Sequence, residues 1–215
     1  MKPIAFAQHF LRVAVCASMA WTASMPPLSA ATMEPARPET ARAVGGTALG
    51  GPFTLTDHTG RTVTDDMFRG QYMLVYFGYM SCADICPTDI SNMTAAMDLL
   101  GPLAKQIQPL FISVDPKRDT VEQLAEYVGL FHPRLIGLTG TKEQIDKVAA
   151  SYLVTYFLFD SEDSAEYEVA HTAKTFLMAP DGRYLMWFRN ATAPSVMASG
   201  IRRMMEKWSN ANHAE

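Results

Sequence analysis

Cysteine is scarce in this chain: three residues in 215, at Cys16, Cys82 and Cys86. Any thiol chemistry therefore concentrates on one short loop, because Cys16 stands far away near the N-terminus. A basic excess is missing too. Eighteen Lys and Arg stand against 22 Asp and Glu, a formal net charge of −4, so the electrostatic footprint of a nucleic-acid binder is absent. The apolar run near the N-terminus falls well short of the roughly 20 residues a membrane-spanning helix needs. No internal repeat or low-complexity tract interrupts the sequence. What is present, 48% hydrophobic and 19% charged residues, is ordinary for a globular protein. The length suits one well-buried domain of about 150–200 residues with a remainder.

The remainder lies at the front. Lys2, His9 and Arg12 precede an apolar run from Val13 to Trp21; Pro26, Pro27 and the small residues Ser29-Ala30-Ala31 follow. A positive region, a short apolar core and a small-residue cleavage site make residues 1–31 an export signal, with an uncleaved anchor as the alternative. Bulky Val15 and the early position argue against Cys16 as a lipoprotein cysteine, so Cys16 leaves with the signal. Residues 32–50, rich in Pro, Ala, Glu and Gly, read as a linker. The folded domain is expected over 51–209, with a polar tail at 210–215. The protein is expected to be exported, either periplasmic or held on the outer face of the inner membrane.

Phe53–Thr56 and Arg61–Thr64 alternate apolar and polar residues around the turn Asp57-His58-Thr59-Gly60, which predicts a hairpin. Tyr72–Tyr79 is unbroken in its apolar character, as a central strand buried on both faces requires. Pro87 and Asp89 suit a helix start, and Ile90, Met93, Met97 and Leu100 mark its inward stripe. Ile107–Val114 is a second strand. Asp119-Thr120 opens a helix that turns Val121, Leu124, Val128 and Phe131 inward. Leu135–Leu138 is a short strand, and Thr141 with Gln144 resembles a capping box for a helix to about Ser151. Tyr152–Phe159 is apolar and β-rich; the acidic loop Asp160–Glu166 separates it from Tyr167–Val169. Phe176–Met178 and Tyr184–Phe188 flank the turn Ala179–Gly182. Ala193–Trp208 closes the chain as a helix with Val196, Ile201, Met204, Met205 and Trp208 facing the core. This order predicts an α/β fold, a central mixed sheet flanked by helices with an N-terminal β-hairpin. A dithiol at the end of the first central strand makes the thioredoxin-like fold the natural candidate, with the site outside the carboxyl ends of the strands.

Cys82 and Cys86, four positions apart on a strand-to-helix turn, face the same way if the loop coils once. A disulfide, a redox-active pair and joint ligation of one metal ion are all open to them. The helix dipole at their backs should lower a thiolate pKa. His58 in a hairpin turn, His132 beside Pro133 and His213 in the tail have the settings of surface residues rather than ligands. Met93 and Met97 at helical spacing read as core.

GYMSCADICPTDI, FISVDPKRDT and YEVAHTAKTFLMAPDG, in that order, resemble the sequence blocks of the Sco/SenC family, and the resemblance runs from about Gly51 to Trp208. The CxxxCP core is its most specific part. The resemblance implies a thioredoxin-like protein that delivers copper, as Cu(I), Cu(II) or both, to the copper-bearing subunit of cytochrome c oxidase or to another copper chaperone. It implies copper held by Cys82, Cys86 and His171, with Asp115 fixing the surrounding loop and Asp119 capping a helix. A thiol reductant would keep the pair reduced, and the protein is read as a monomer. The alternative is a thiol–disulfide oxidoreductase acting through Cys82 and Cys86 on the cysteines of the copper acceptor. The family usually has Thr at Met80, His or a similar residue at Ser81, Pro at Ala83 and Asp at Ala170. Met80 is either a further thioether at the site or a packed or solvent-facing side chain. A general thioredoxin is disfavoured by the missing CxxC and by the absence of proline from Ser161 to Ala179. A peroxidase is disfavoured because Tyr79 and Ala83 stand where a Thr would precede the reactive cysteine.

Overall fold

The hairpin forms where alternation places it: β1 (Thr54–Asp57) pairs antiparallel with β2 (Thr62–Thr64), Leu55 opposite Val63. The structure is a computed structural model that describes residues 49–160 and 167–212, all within one compact unit. The expected export signal with Cys16, nearly all of the linker, the acidic stretch 161–166 and His213 lie outside the described residues.

The chain continues through β3 (Tyr72–Gly78), α1 (Ile85–Leu100), β4 (Ile107–Ser113), α2 (Val121–Gly129), β5 (Ile136–Thr139) and α3 (Lys142–Ser151). It ends with β6 (Tyr156–Asp160), β7 (Tyr167–His171), β8 (Lys174–Met178), β9 (Tyr184–Arg189) and α4 (Pro194–Asn212). Seven strands form one mixed sheet in the order β2-β1-β5-β4-β3-β8-β9. β3 runs parallel to β4 and β4 to β5, while β8 pairs antiparallel with β3 and β9. The unbroken apolar character of β3 follows from its place. Leu74 and Tyr76 face a core built with α1, α2 and α4, and Met73, Val75 and Phe77 face a second core built with α3 and the hairpin. Burial on both faces leaves no solvent side to demand a polar residue. Truncating such a side chain, Leu74→Ala for example, costs about 2–5 kcal/mol.

Several local expectations need correction. α1 begins at Ile85, so Asp89 falls beyond its first turn, whereas Pro87 lies in that turn as expected, with Cys86 beside it. Proline is tolerated there because the N–H it lacks would have no intrahelical partner. Asp89 is buried, and its Oδ1 accepts the Ala191 N–H at 2.6 Å, tying α1 to the loop before α4. Asp119 does not cap α2. Thr120 does, its hydroxyl accepting the Gln123 N–H. In α4, Val196 is 50% exposed, and Met197 and Ala198 take the inward positions. The apolar run Tyr152–Phe159 divides. Tyr152 is buried at the end of α3, whereas Phe157, Leu158 and Phe159 are 59%, 48% and 54% exposed on β6. Among the described residues β6 pairs only with β7, in a two-stranded ribbon separate from the main sheet, so its apolar content does not signal a core strand. The Thr141–Gln144 capping box forms as read.

Candidate metal centre

Strand β3 runs through the core to Gly78 and releases the chain into the loop Tyr79–Asp84, which carries Cys82; α1 then presents Cys86. Gly78 is required by close approach. A Cβ there would lie 3.0 Å from Cys86 Sγ, 3.0 Å from Phe111 Cε2 and 2.9 Å from Tyr76 Cε1, so only glycine lets Cys86 settle against the strand end. The loop tightens on itself: Cys82 N–H donates to the Tyr79 carbonyl at 3.3 Å, and Cys86 N–H donates to Cys82 Sγ at 3.4 Å. Both cysteines are free thiols, Cys86 buried and Cys82 half-buried.

His171 arrives from the far end of the sequence, as the last residue of β7. Its Nε2 lies 3.2 Å from Cys86 Sγ, and one ligand atom from each of Cys82, Cys86 and His171 falls within 4.8 Å of the others. His171 Nδ1 is 3.3 Å from the Thr172 carbonyl oxygen, which can only accept; Nδ1 therefore carries the proton and Nε2 turns its lone pair toward the thiols. Two aromatic edges hold the imidazole. Tyr76 and Tyr79 meet it T-shaped, with ring centroids 6.2 and 5.8 Å away. Burial lowers the His171 pKa, which favours the neutral ring that a metal needs.

The two thiols differ sharply. Burial pushes Cys86 up to about 12, and the neighbouring Cys82 adds to the rise. Burial also acts to raise Cys82, but bonds from the Cys86 N–H and side chain, the Asp84 N–H and the Tyr79 side chain outweigh it and the pKa falls. The expected lowering by the helix terminus thus reaches Cys82 only. At Cys86, desolvation of the charged thiolate dominates. The Tyr76 hydroxyl is buried beside Cys86 and Asp89.

Asp115 is not part of the triangle. It is buried in the loop after β4, paired with Arg118 and accepting the Tyr167 hydroxyl at 2.5 Å. Asp119, expected at a helix cap, instead accepts the Met80 N–H at 3.0 Å and the Ser113 hydroxyl at 2.6 Å, bracing the cysteine loop. Burial raises its pKa to about 6. Met80 packs partly buried against the core, and Met93 and Met97 are core residues. His58 Nδ1 accepts the Gly137 N–H at 3.2 Å and His132 Nδ1 accepts the Arg134 N–H at 3.0 Å, so both serve local structure rather than the centre. Sequence reasoning missed Gly78, Tyr76, Tyr79, Arg118 and Tyr167. Of these only Gly78, a glycine ending an otherwise bulky strand, carries a local signal.

The SCO1/SenC family model matches residues 41–206. The chain belongs to the SCO1/SenC family. Within it, the human mitochondrial protein SCO1 homolog is 40% identical over 172 residues, covering 79% of this chain and 57% of the human protein. This chain thus spans less than two thirds of that SCO1 relative's length. Protein SenC of Rhodobacter capsulatus is 42% identical over 153 residues, covering 71% of this chain and 69% of SenC. Among solved structures, copper-bound ScoI of Arabidopsis thaliana superposes with a TM-score of 0.70 at 38% identity, covering 74% of this chain and 99% of that one. The fold is accordingly the thioredoxin-like α/β fold of Sco proteins, as the dithiol at the first central strand led us to expect.

Proposed function

We propose that this protein is a copper carrier that serves assembly of the copper centre of cytochrome c oxidase. Cys82, Cys86 and His171 hold the ion, and Asp115 steadies the loop around them. The observation that carries the reading is the triangle itself: two free thiols and an imidazole nitrogen within 4.8 Å of one another, brought together from residues 85 positions apart. Thiolates suit Cu(I), and the added imidazole also accommodates Cu(II). Three ligands leave a coordination position open, which suits cargo that must be passed on by ligand exchange. Copper-bound ScoI structures from Arabidopsis thaliana and Bradyrhizobium japonicum, each 38% identical to this chain, support the choice of ion. The receiver is the copper-bearing oxidase subunit or another copper chaperone. The protein works as an exported monomer, with residues 1–31 as its signal and 32–50 as a linker. Metal analysis of the reduced protein after growth with both metals tests the ion. Copper at about one per chain is expected, and zinc in its place would overturn the reading.

The unequal thiols favour a second activity on the same site. Cys82 as thiolate attacks a disulfide of the copper acceptor and forms a mixed disulfide. Cys86 then attacks Cys82 Sγ, which releases the acceptor dithiol and leaves a Cys82–Cys86 disulfide for a thiol reductant to reopen. Turnover with a disulfide substrate tests it. A Cys82–Cys86 disulfide that physiological reductants leave closed would sink both readings.

A further inference from the structure

His171 stands on a ribbon that the main sheet does not hold. Among the described residues β6 and β7 form ladder bonds only with each other, with His171 opposite Tyr156. Side chains must therefore set where the imidazole sits. Tyr156 fastens the ribbon to Asp146, on the surface, while the bonds between Thr172 and Thr155 only close the ribbon's own end. Val169 of β7 is buried in the second core, and a polar fastening lies at Tyr167, the first residue of β7 and four before the histidine. Its hydroxyl donates to Asp115 Oδ1 at 2.5 Å, its carbonyl accepts Arg118 Nη1 at 2.8 Å, and its ring lies 3.9 Å from the Arg118 guanidinium carbon. Arg118 also pairs through Nε with Asp115, and its guanidinium carbon lies 5.9 Å from the Tyr79 ring, whose edge contacts His171. One residue on, Asp119 holds the Met80 N–H of the cysteine loop. The stretch 113–119 is thus bonded to both halves of the metal centre.

We propose that Arg118 is a positioning residue for copper: by locking Tyr167 it fixes the strand that carries His171 against the cysteine pair before the ion arrives. The inference rests on the Cys82/Cys86/His171 reading above. A lysine keeps the charge but cannot donate to Asp115 and to the Tyr167 carbonyl while lying flat on a ring, so only the planar fork fulfils the role. Cu(I), which two thiolates can hold, depends little on Arg118. Cu(II), which needs the imidazole, depends on it strongly.

The test is stopped-flow release of Cu(II) to a chelator, followed at the absorption of the copper–chelator complex, with Cu(I) affinity measured by competition on the same proteins. Arg118→Gln is expected to speed Cu(II) release by at least about tenfold, the usual effect of removing a residue that orients a ligand. Cu(I) affinity should stay within about threefold, and Arg118→Lys should not restore slow release. Added to His171→Ala, Arg118→Gln should change release by less than about twofold, because both act through one ligand. Wild-type release in Arg118→Gln, or effects that multiply in the double variant, would overturn the inference while leaving the copper site standing. Wild-type release in His171→Ala would overturn the site reading itself. If Arg118→Gln fails to fold, Tyr167→Phe removes only the bond to Asp115; it should speed release by a smaller factor, again without adding to His171→Ala, and release at the wild-type rate would count against the inference.

Discussion

Alkylating the two thiols in the metal-free, reduced protein tests the electrostatics of the centre. Burial holds Cys86 at about 12, whereas hydrogen bonds bring Cys82 below the ordinary 9.0. With the two values at least about 3 apart, the thiolate population of Cys82 at pH 7–8 exceeds that of Cys86 by at least about 1,000-fold. Nucleophilicity falls with basicity along a Brønsted slope of about 0.4–0.5, which returns about 15- to 30-fold to Cys86. A preference of about 30- to 60-fold for Cys82 remains on thiolate chemistry alone. Complete burial of Cys86 widens it further. Iodoacetamide labelling read by peptide mass spectrometry from pH 6 to 9 measures both rates. Modification should go first to Cys82, with a rate that reaches half its maximum below pH 9. Equal rates, or faster labelling of Cys86, would refute the assignment of Cys82 as the entering nucleophile and the desolvation argument beneath it.

Two further outcomes follow from the packing and the charges. Gly78→Ala places a methyl 3.0 Å from Cys86 Sγ and Phe111 Cε2. Overpacking of this kind costs about 1–3 kcal/mol in urea denaturation, and a measured loss near zero would mean that the strand end yields. Asp57 is almost wholly buried. Burial acts to raise its pKa, but bonds from the Thr59 hydroxyl, the Thr59 and Arg61 N–H groups and the Arg61 side chain outweigh it and bring the carboxyl down to about 2. A carboxyl depressed by folding contributes stability above its unfolded pKa and loses it as pH falls through the folded value. About 2 kcal/mol should therefore be present above about pH 5 and vanish between about pH 4 and 2. Asp57→Asn should remove this part of the acid dependence; an unchanged profile would show that the turn does not depend on the charge.

Much of the fold was legible because its signals are local. The alternation around Asp57, the doubly buried run of β3, the Ile90–Met93–Met97–Leu100 stripe and the Thr141 cap each follow from a few neighbouring residues. The failures share a cause as well. Phe157–Phe159 is as apolar as a core strand, but exposure depends on whether the main sheet accepts the strand, and nothing in those residues says so. Asp119 carries the composition of a helix cap but is drawn inward by Met80 and Ser113, partners 39 and 6 positions away. Arg118 meets Tyr167 across 49 positions, with no periodic signal to announce it. The site divides in the same way. Cys82 and Cys86 declare themselves by spacing, whereas His171 sits 85 positions from Cys86 and came into view only through the family's sequence blocks. The ribbon's side-chain anchors then explain how so distant a residue reaches the pair.

The central claim is that three residues, and not the two cysteines alone, make the copper site. The most direct measurement is titration of Cu(II) into reduced wild-type and His171→Ala protein, followed by the thiolate charge-transfer band. Wild type should develop the band at one equivalent, and loss of the imidazole should weaken binding by at least about tenfold with a shifted or absent band. Equal affinity and an unchanged spectrum in His171→Ala would contradict the account.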